Sequence, residues 1–250
     1  MAGSLQEAYE LLLKSRQSRI LAGGMWLRLG STPISHAIDL SRLGLDTIQK
    51  TEDCLEIGAM VTLRQLECDV LTREAFSGIL PTSVQSIVGT QFRSTATLGG
   101  SVYARFGFSD PVCALLSLRA RVVFYKAGEM DLETYLASPP VRDILTCVRI
   151  PLSSQAASYQ SLRHTRTDFP VLNLSLSRDE QGLHTLSVGA RPMKAMRCRE
   201  AESCLDCGDT EGALQAVRQL PYGTNMRAGA EYRREMASVL LERALEEMKA

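Results

Sequence analysis

Apolar and polar positions follow recognisable periods along most of this chain. Ser4-Leu-Gln-Glu7 is a capping-box pattern opening a helix, with Ala8, Leu11 and Leu12 on one face. Arg19–Ala22 reads as a short strand that runs into Gly23-Gly24, and Met25–Leu29 alternates in a way that fits either a strand or one helical turn. His36–Leu40, Thr47–Lys50 and Cys54–Gly58 read as strands, the last two separated by the acidic turn Glu52-Asp53. Thr62 caps a helix through Leu66, and a second short helix is predicted over Thr82–Val88, ending at Gly89. Asp110 and Pro111 begin a helix, Asp as its cap, with Val112, Leu115 and Leu116 at helical spacing. A strand over Val122–Tyr125, a helix over Leu132–Leu136 and a strand over Ile144–Ile150 lead to Pro151.

The composition changes there. Ser153-Ser154-Gln155 reads as a linker, which divides the chain into residues 1–152 and 153–250. Three strands are expected next, Ser158–Leu162, Val171–Ser177 and Leu183–Ala190, the last two joined as a hairpin by Asp179–Gly182. Helices over Ala195–Cys204, Glu211–Gln219 and Ala230–Met248 follow, the last with Tyr232, Met236, Val239, Leu240 and Ala244 on one face. Strands followed by helices, without strict alternation, predict an α+β class rather than a doubly wound sheet.

Composition narrows the function. Twenty-eight basic residues balance twenty-eight acidic ones, so no basic surface points to nucleic acid. No apolar run reaches membrane-spanning length and the N-terminus does not read as a signal peptide, which points to the cytoplasm. The seven cysteines are mostly single among apolar residues, as reduced thiols are, and the cluster Cys198, Cys204 and Cys207 lacks a fourth ligand for a metal. No P-loop, G-x-G-x-x-G, His-Glu-x-x-His or G-x-S-x-G occurs, and the three histidines are scattered. No catalytic side-chain set is therefore expected. Two glycine pairs stand out, Leu21-Ala22-Gly23-Gly24 and Thr97-Leu98-Gly99-Gly100. Each reads as a tight turn, or as a backbone nest for an anion; the two together suit a ligand with linked phosphates. The polar patch Arg163-His-Thr-Arg166-Thr-Asp168 reads as a solvated loop or as the edge of a cofactor or partner site. With no acid, base or metal set in view, an organic cofactor would carry the chemistry.

In order and spacing, these segments resemble the FAD-binding subunit of the molybdenum hydroxylases, the family of xanthine dehydrogenase and aerobic carbon monoxide dehydrogenase. The resemblance covers nearly the whole chain. Its carriers are Ala22-Gly23-Gly24, Ile38-Asp39-Leu40, Ile57-Gly58-Ala59 with Thr62, and the block Gln91-Phe-Arg93-Ser-Thr-Ala96-Thr97-Leu98-Gly99-Gly100-Ser101 followed by Asp110. The family's Thr and Asp after the first glycine pair are Met25 and Trp26 here, its Asn after the second is Ser101, and a Lys frequent after Tyr159 is Gln160.

The resemblance implies a vanillyl-alcohol-oxidase (PCMH)-type fold: two α/β subdomains clasping FAD, then a C-terminal α+β domain with a three-stranded antiparallel sheet and helices. It implies that Arg19, Ile20, Leu21, Ala22, Gly23, Gly24, Met25 and Trp26 in the first loop bind the cofactor. The second loop, Ala96, Thr97, Leu98, Gly99 and Gly100, would join it in giving amides to the pyrophosphate. Asp110 would take ribityl or ribose hydroxyls, Ile144 would pack on the adenine or the ring, and Tyr159 would lie near the isoalloxazine. The implied partners are a molybdenum-cofactor large subunit and a 2Fe-2S small subunit, with NAD or another carrier taking the electrons. Gln160 in place of Lys implies a lower flavin potential, and Trp26 leaves open a flavin-free structural subunit. A stand-alone flavin reductase of the same fold is the other alternative.

Overall fold

In the computed structural model, which describes residues 1–249, the strands sort into three sheets. β1 (Ser18–Leu21) and β2 (His36–Asp39) pair in parallel, from Ser18 opposite His36 to Leu21 opposite Asp39. The helix Leu5–Lys14 packs on them, capped by the Ser4 hydroxyl, which accepts from the Glu7 amide. β3 (Ile48–Lys50), β4 (Cys54–Gly58), β5 (Arg121–Phe124), β6 (Gly128–Asp131) and β7 (Leu145–Pro151) form an antiparallel sheet in the order β3-β4-β7-β5-β6. β8 (Ser154–Leu162), β9 (Leu172–Asp179), β10 (His184–Gly189) and β11 (Met196–Arg197) form a second antiparallel sheet in the order β11-β10-β9-β8.

This second sheet has four strands where three are expected from sequence. β11 is two residues long and too short to carry a period. β6 is also unforeseen: as an edge strand it holds Glu129 and Asp131 outward to pair with Arg121. The expected linker shrinks to a turn at residues 152–153, because Ser154 already opens β8. The helix expected over Thr82–Val88 lies instead at Ile79–Val84, where Gly78 supplies a left-handed N-cap (φ 68°) and Pro81 sits in the first turn. The helix placed at Ala195–Cys204 starts at Arg199, since β11 occupies the residues before it.

β9 explains how the halves join. Its Leu172, Leu174 and Leu176 face a helical layer that includes Leu205, Val217, Leu240 and Leu241. Its alternate residues face the helix Asp110–Ser117 and are no less buried. There Ser175 Oγ meets Ser117 Oγ at 2.7 Å, Ser177 Oγ donates to the Ser117 carbonyl, and Ser187 Oγ of β10 donates to the Cys113 carbonyl. The helix is buried along its whole length, its apolar residues in the core beneath the five-stranded sheet and its small polar ones against β9 and β10. An alternating strand thus has helices on both faces, and its polar face is a hydrogen-bonded seam.

The last helix, Ala230–Glu247, presents a face rotated from the predicted one. Arg233, Ala237, Leu240, Leu241 and Ala244 are buried, while Tyr232 is 49% exposed. Arg233 accounts for the rotation. Its side chain is fully buried and donates to the carbonyls of Val171, Gly223 and Ala228 and to Asn225 Oδ1, all at 2.6–2.8 Å. Periodicity assigns arginine to the solvent side, but this one holds the 223–228 loop to the start of β9. Arg233→Met, similar in length but without donors, should lower unfolding stability by about 3 kcal/mol or more through the carbonyls it strands. Urea denaturation monitored by circular dichroism measures this.

Candidate functional site

A cavity of about 760 Å³ lies where four segments meet: the loop after β1, the start of the helix Leu98–Tyr103, the start of the helix Asp110–Ser117, and the segment after β8. Its size suits a large organic ligand. Of the residues expected to bind a cofactor, Arg19, Ile20, Ala22, Gly23, Gly24, Met25, Trp26, Ala96, Thr97, Gly99, Gly100 and Asp110 line it. Leu21, Leu98, Ile144 and Tyr159 are not on its wall. Ile144 is fully buried with Leu12 and Ile38 in a separate apolar cluster, and Leu98 is core. Tyr159 lies behind the wall, its hydroxyl donating to Asp110.

The two glycine loops have different local chemistry. In the first, Gly24 takes φ 66° and the chain turns into a short 3₁₀ helix at Leu27–Leu29. Among the described residues, the backbone N–H groups of Ala22, Gly23, Gly24, Met25 and Trp26 have no protein acceptor. They form a run of free donors beside the cavity, the arrangement that binds anions. The second loop differs from expectation. Gly99 and Gly100 are not a left-handed turn but the first turn of a helix whose cap is Thr97. The Leu98 amide donates to Val61 O and the Gly99 amide to Ala59 O, both at 2.9 Å, while the Gly100 amide donates to Thr97 Oγ1 at 3.0 Å and the Ala96 amide to Phe92 O. Those amides are spent on the protein. The glycines serve close approach instead: a Cβ on Gly99 would lie 2.5 Å from Ala59 O. On Gly23 it would lie 2.0 Å from Thr95 O, so the two loops touch backbone to backbone.

Asp110 is the first helical residue rather than the cap, which is Ser109. Its buried carboxylate is committed elsewhere. Oδ1 accepts from the Tyr159 hydroxyl and from Asn173 Nδ2 at 3.1 Å, and lies 2.6 Å from Arg163 Nη2. None of these contacts uses Oδ2. Burial, and then the Asp110 charge, push the Tyr159 hydroxyl well above its ordinary pKa. Burial pulls the Arg163 pKa down, but the Asp110 charge and hydrogen bond outweigh it and the net shift is upward. Arg163 Nη2 is paired with Asp110, but Arg163 Nε and Ser109 Oγ have no hydrogen-bond partner among the described residues. Both residues line the cavity. Free amides and unpaired buried donors around one space fit an anionic ligand rich in acceptors.

Sequence reading did not find the aromatic wall. Trp26 packs against Phe106 (5.1 Å between ring centres), Phe108 (5.5 Å) and Phe169 (5.9 Å), and the Arg227 guanidinium lies 4.9 Å from the Phe169 ring centre. The only trace in sequence is the pair Phe106 and Phe108 just ahead of Asp110. Gln160 corrects another expectation. It points away from Tyr159 and donates to Glu247 Oε2 at 2.7 Å and Ser158 Oγ at 3.1 Å, as alternation along β8 requires. A cation there would face the last helix rather than the cavity.

Residues 1–153 match the family described as FAD binding domain in molybdopterin dehydrogenase. The chain is 26% identical over 275 residues to the nicotine 6-hydroxylase medium subunit of Paenarthrobacter nicotinovorans, covering 99% of this chain and 95% of that one. It is 23% identical over 274 residues to the glyceraldehyde dehydrogenase medium chain of Sulfolobus acidocaldarius, covering 99% and 96%. Its fold matches a chain of carbon monoxide dehydrogenase from Hydrogenophaga pseudoflava with a TM-score of 0.89 at 20% identity, covering 99% and 95%.

Two outcomes test this geometry. Gly23→Ala should weaken FAD binding at least about tenfold by forcing the loops apart, as overpacking does. Gly100→Ala should weaken it less, because its Cβ meets only Thr97 Oγ1 at 3.1 Å and Ala22 Cβ at 3.8 Å. Titration of each variant with FAD decides between them. The raised Tyr159 pKa makes its contribution to stability complete below the unfolded value of about 10 and lost as pH rises toward the folded value. Unfolding stability should therefore fall above that pH, and Tyr159→Phe should flatten the decline, as denaturation at stepped alkaline pH would measure.

Proposed function

This chain belongs to the family of FAD-binding domains in molybdopterin dehydrogenases, and on that footing we propose that it carries FAD as the electron-transfer subunit of a molybdenum-containing hydroxylase or dehydrogenase. Bound FAD supplies one- and two-electron transfer, which the side chains here do not. The observation that carries the reading is the run of unsatisfied amides from Ala22 to Trp26 beside a cavity of cofactor size. These amides hold the pyrophosphate, in a nest that needs no side chain. That is why Met25 and Trp26 can replace the Thr and Asp of related sequences. The second loop braces the first and contributes the Thr97 amide. Asp110 Oδ2 accepts a hydroxyl of the cofactor chain, and the aromatic wall shields the ring.

In this reading the fold is of the PCMH type, two subdomains within residues 1–152 clasping the cofactor and residues 153–250 closing over it. Substrate is oxidised on a large molybdenum subunit. Electrons reach the FAD through a 2Fe-2S subunit and leave to NAD or another carrier. Two relatives that are medium subunits, matched over nearly the full length, and the fold shared with a carbon monoxide dehydrogenase chain support the reading of this chain as such a subunit. The chain's own task is then to bind, orient and shield the cofactor.

The purified chain should show flavin absorption bands and, on heating, release FAD in stoichiometric amount. A colourless chain that takes up no added FAD would overturn the proposal.

A further inference from the structure

Arg16, Arg19 and Arg142 line one end of the cavity, where the helix Leu5–Lys14 stops and β1 begins. The end of that helix fixes two of them. Its last carbonyls have no partner within the helix and attract cations. Arg142 Nη2 donates to the carbonyls of Leu12 and Ser15, and Arg19 Nη1 donates to those of Arg16 and Ser18. Among the described residues, the other nitrogens of both, and the whole Arg16 guanidinium, meet no protein acceptor. None of the three joins an ion pair among those residues. The carboxylates on the wall are already neutralised, Asp110 by Arg163 and Asp168 by Arg227 at 3.6 Å. A chain with no net charge therefore carries a local positive surplus on the wall of this cavity. Building on the FAD reading above, we propose that Arg16, Arg19 and Arg142 form a capture site, which draws the anionic pyrophosphate of FAD into the cavity before the first loop takes it.

The placement of these residues suits approach rather than holding. Arg16 and Arg142 are exposed and Arg19 is half-buried, so water weakens any pair they make with a ligand at rest. A ligand at rest already has the free amides from Ala22 to Trp26, just beyond Arg19 in the chain. Attraction at a distance survives exposure better, because positive charges along a low-dielectric cleft focus their field into it. Charges at a rim change how fast a ligand arrives and how salt affects its arrival, whereas buried pairs change how slowly it leaves. The ligand is small enough to enter, since all three arginines stand on the cavity wall as well as at the surface. Arg16 makes no hydrogen bond or ion pair through its guanidinium within the described protein, so the fold gives that charge no structural task.

The test uses the full chain freed of flavin, with the arrival of FAD followed in a stopped-flow instrument by the change in the flavin's own emission. For the natural chain, association should slow about tenfold between about 0.01 M and about 1 M salt, as the screening length shrinks from about 30 Å to about 3 Å. Arg16→Glu reverses one charge without removing a bond to the protein. At the lower salt it should slow association about tenfold and change dissociation by no more than about twofold, and at the higher salt most of the difference should vanish. Arg16→Gln should fall between Arg16→Glu and the natural chain. If Arg16→Glu leaves association at low salt unchanged, or speeds dissociation by as much as it weakens affinity, the proposal is overturned while the FAD reading stands. An association rate in the natural chain that ignores salt overturns it without any variant. A chain that binds no FAD overturns both.

Discussion

The buried carboxylate of Asp110 is the interaction on which the site depends. An unpaired carboxylate in this position would cost several kcal/mol, so the chain brings it three partners: Tyr159 from β8, Asn173 from β9 and Arg163 from the segment between them. All three come from the later part of the chain, and Asp110 begins a helix whose apolar side belongs to the earlier core. Satisfying one charge therefore docks the four-stranded sheet against the rest of the molecule and aligns the cavity wall. The serine seam further along the same helix repeats this at lower stakes, with neutral hydroxyls on backbone carbonyls.

The glycine loops divide the work. One leaves its amides open to the cavity, and the other uses its amides to fasten itself to Val61 and Ala59. Each needs glycine for a different reason, since Gly24 needs a left-handed conformation while Gly23 and Gly99 need the absence of a Cβ against another backbone. A donor loop that had to hold its own shape with hydrogen bonds would have fewer left for a ligand. Bracing from outside lets it keep them.

Much of this was legible in the sequence. Strong periods placed the start of the helix Leu5–Lys14, and the strands β4 and β9 and the last helix within a residue or two. Most residues of the two glycine loops do line one cavity, along with Asp110. What escaped was long-range. Nothing local distinguishes an amide that faces a ligand from one bonded to a carbonyl some forty residues away, as Gly99 is to Ala59. Arg233 broke the predicted helix face because burial of an arginine depends on carbonyls from other segments. β11 was missed because two residues contain no period. The aromatic wall joins residues from three separate stretches, and only Phe106 and Phe108 are near neighbours in the chain.

Trp26 is the only tryptophan in the chain, and it sits at the rim of the cavity among three phenylalanines, 40% exposed. All indole emission from this protein therefore originates at one address. A coloured ring entering beside it would quench that light by energy transfer. This single indole thus makes the molecule its own optical gauge of occupancy.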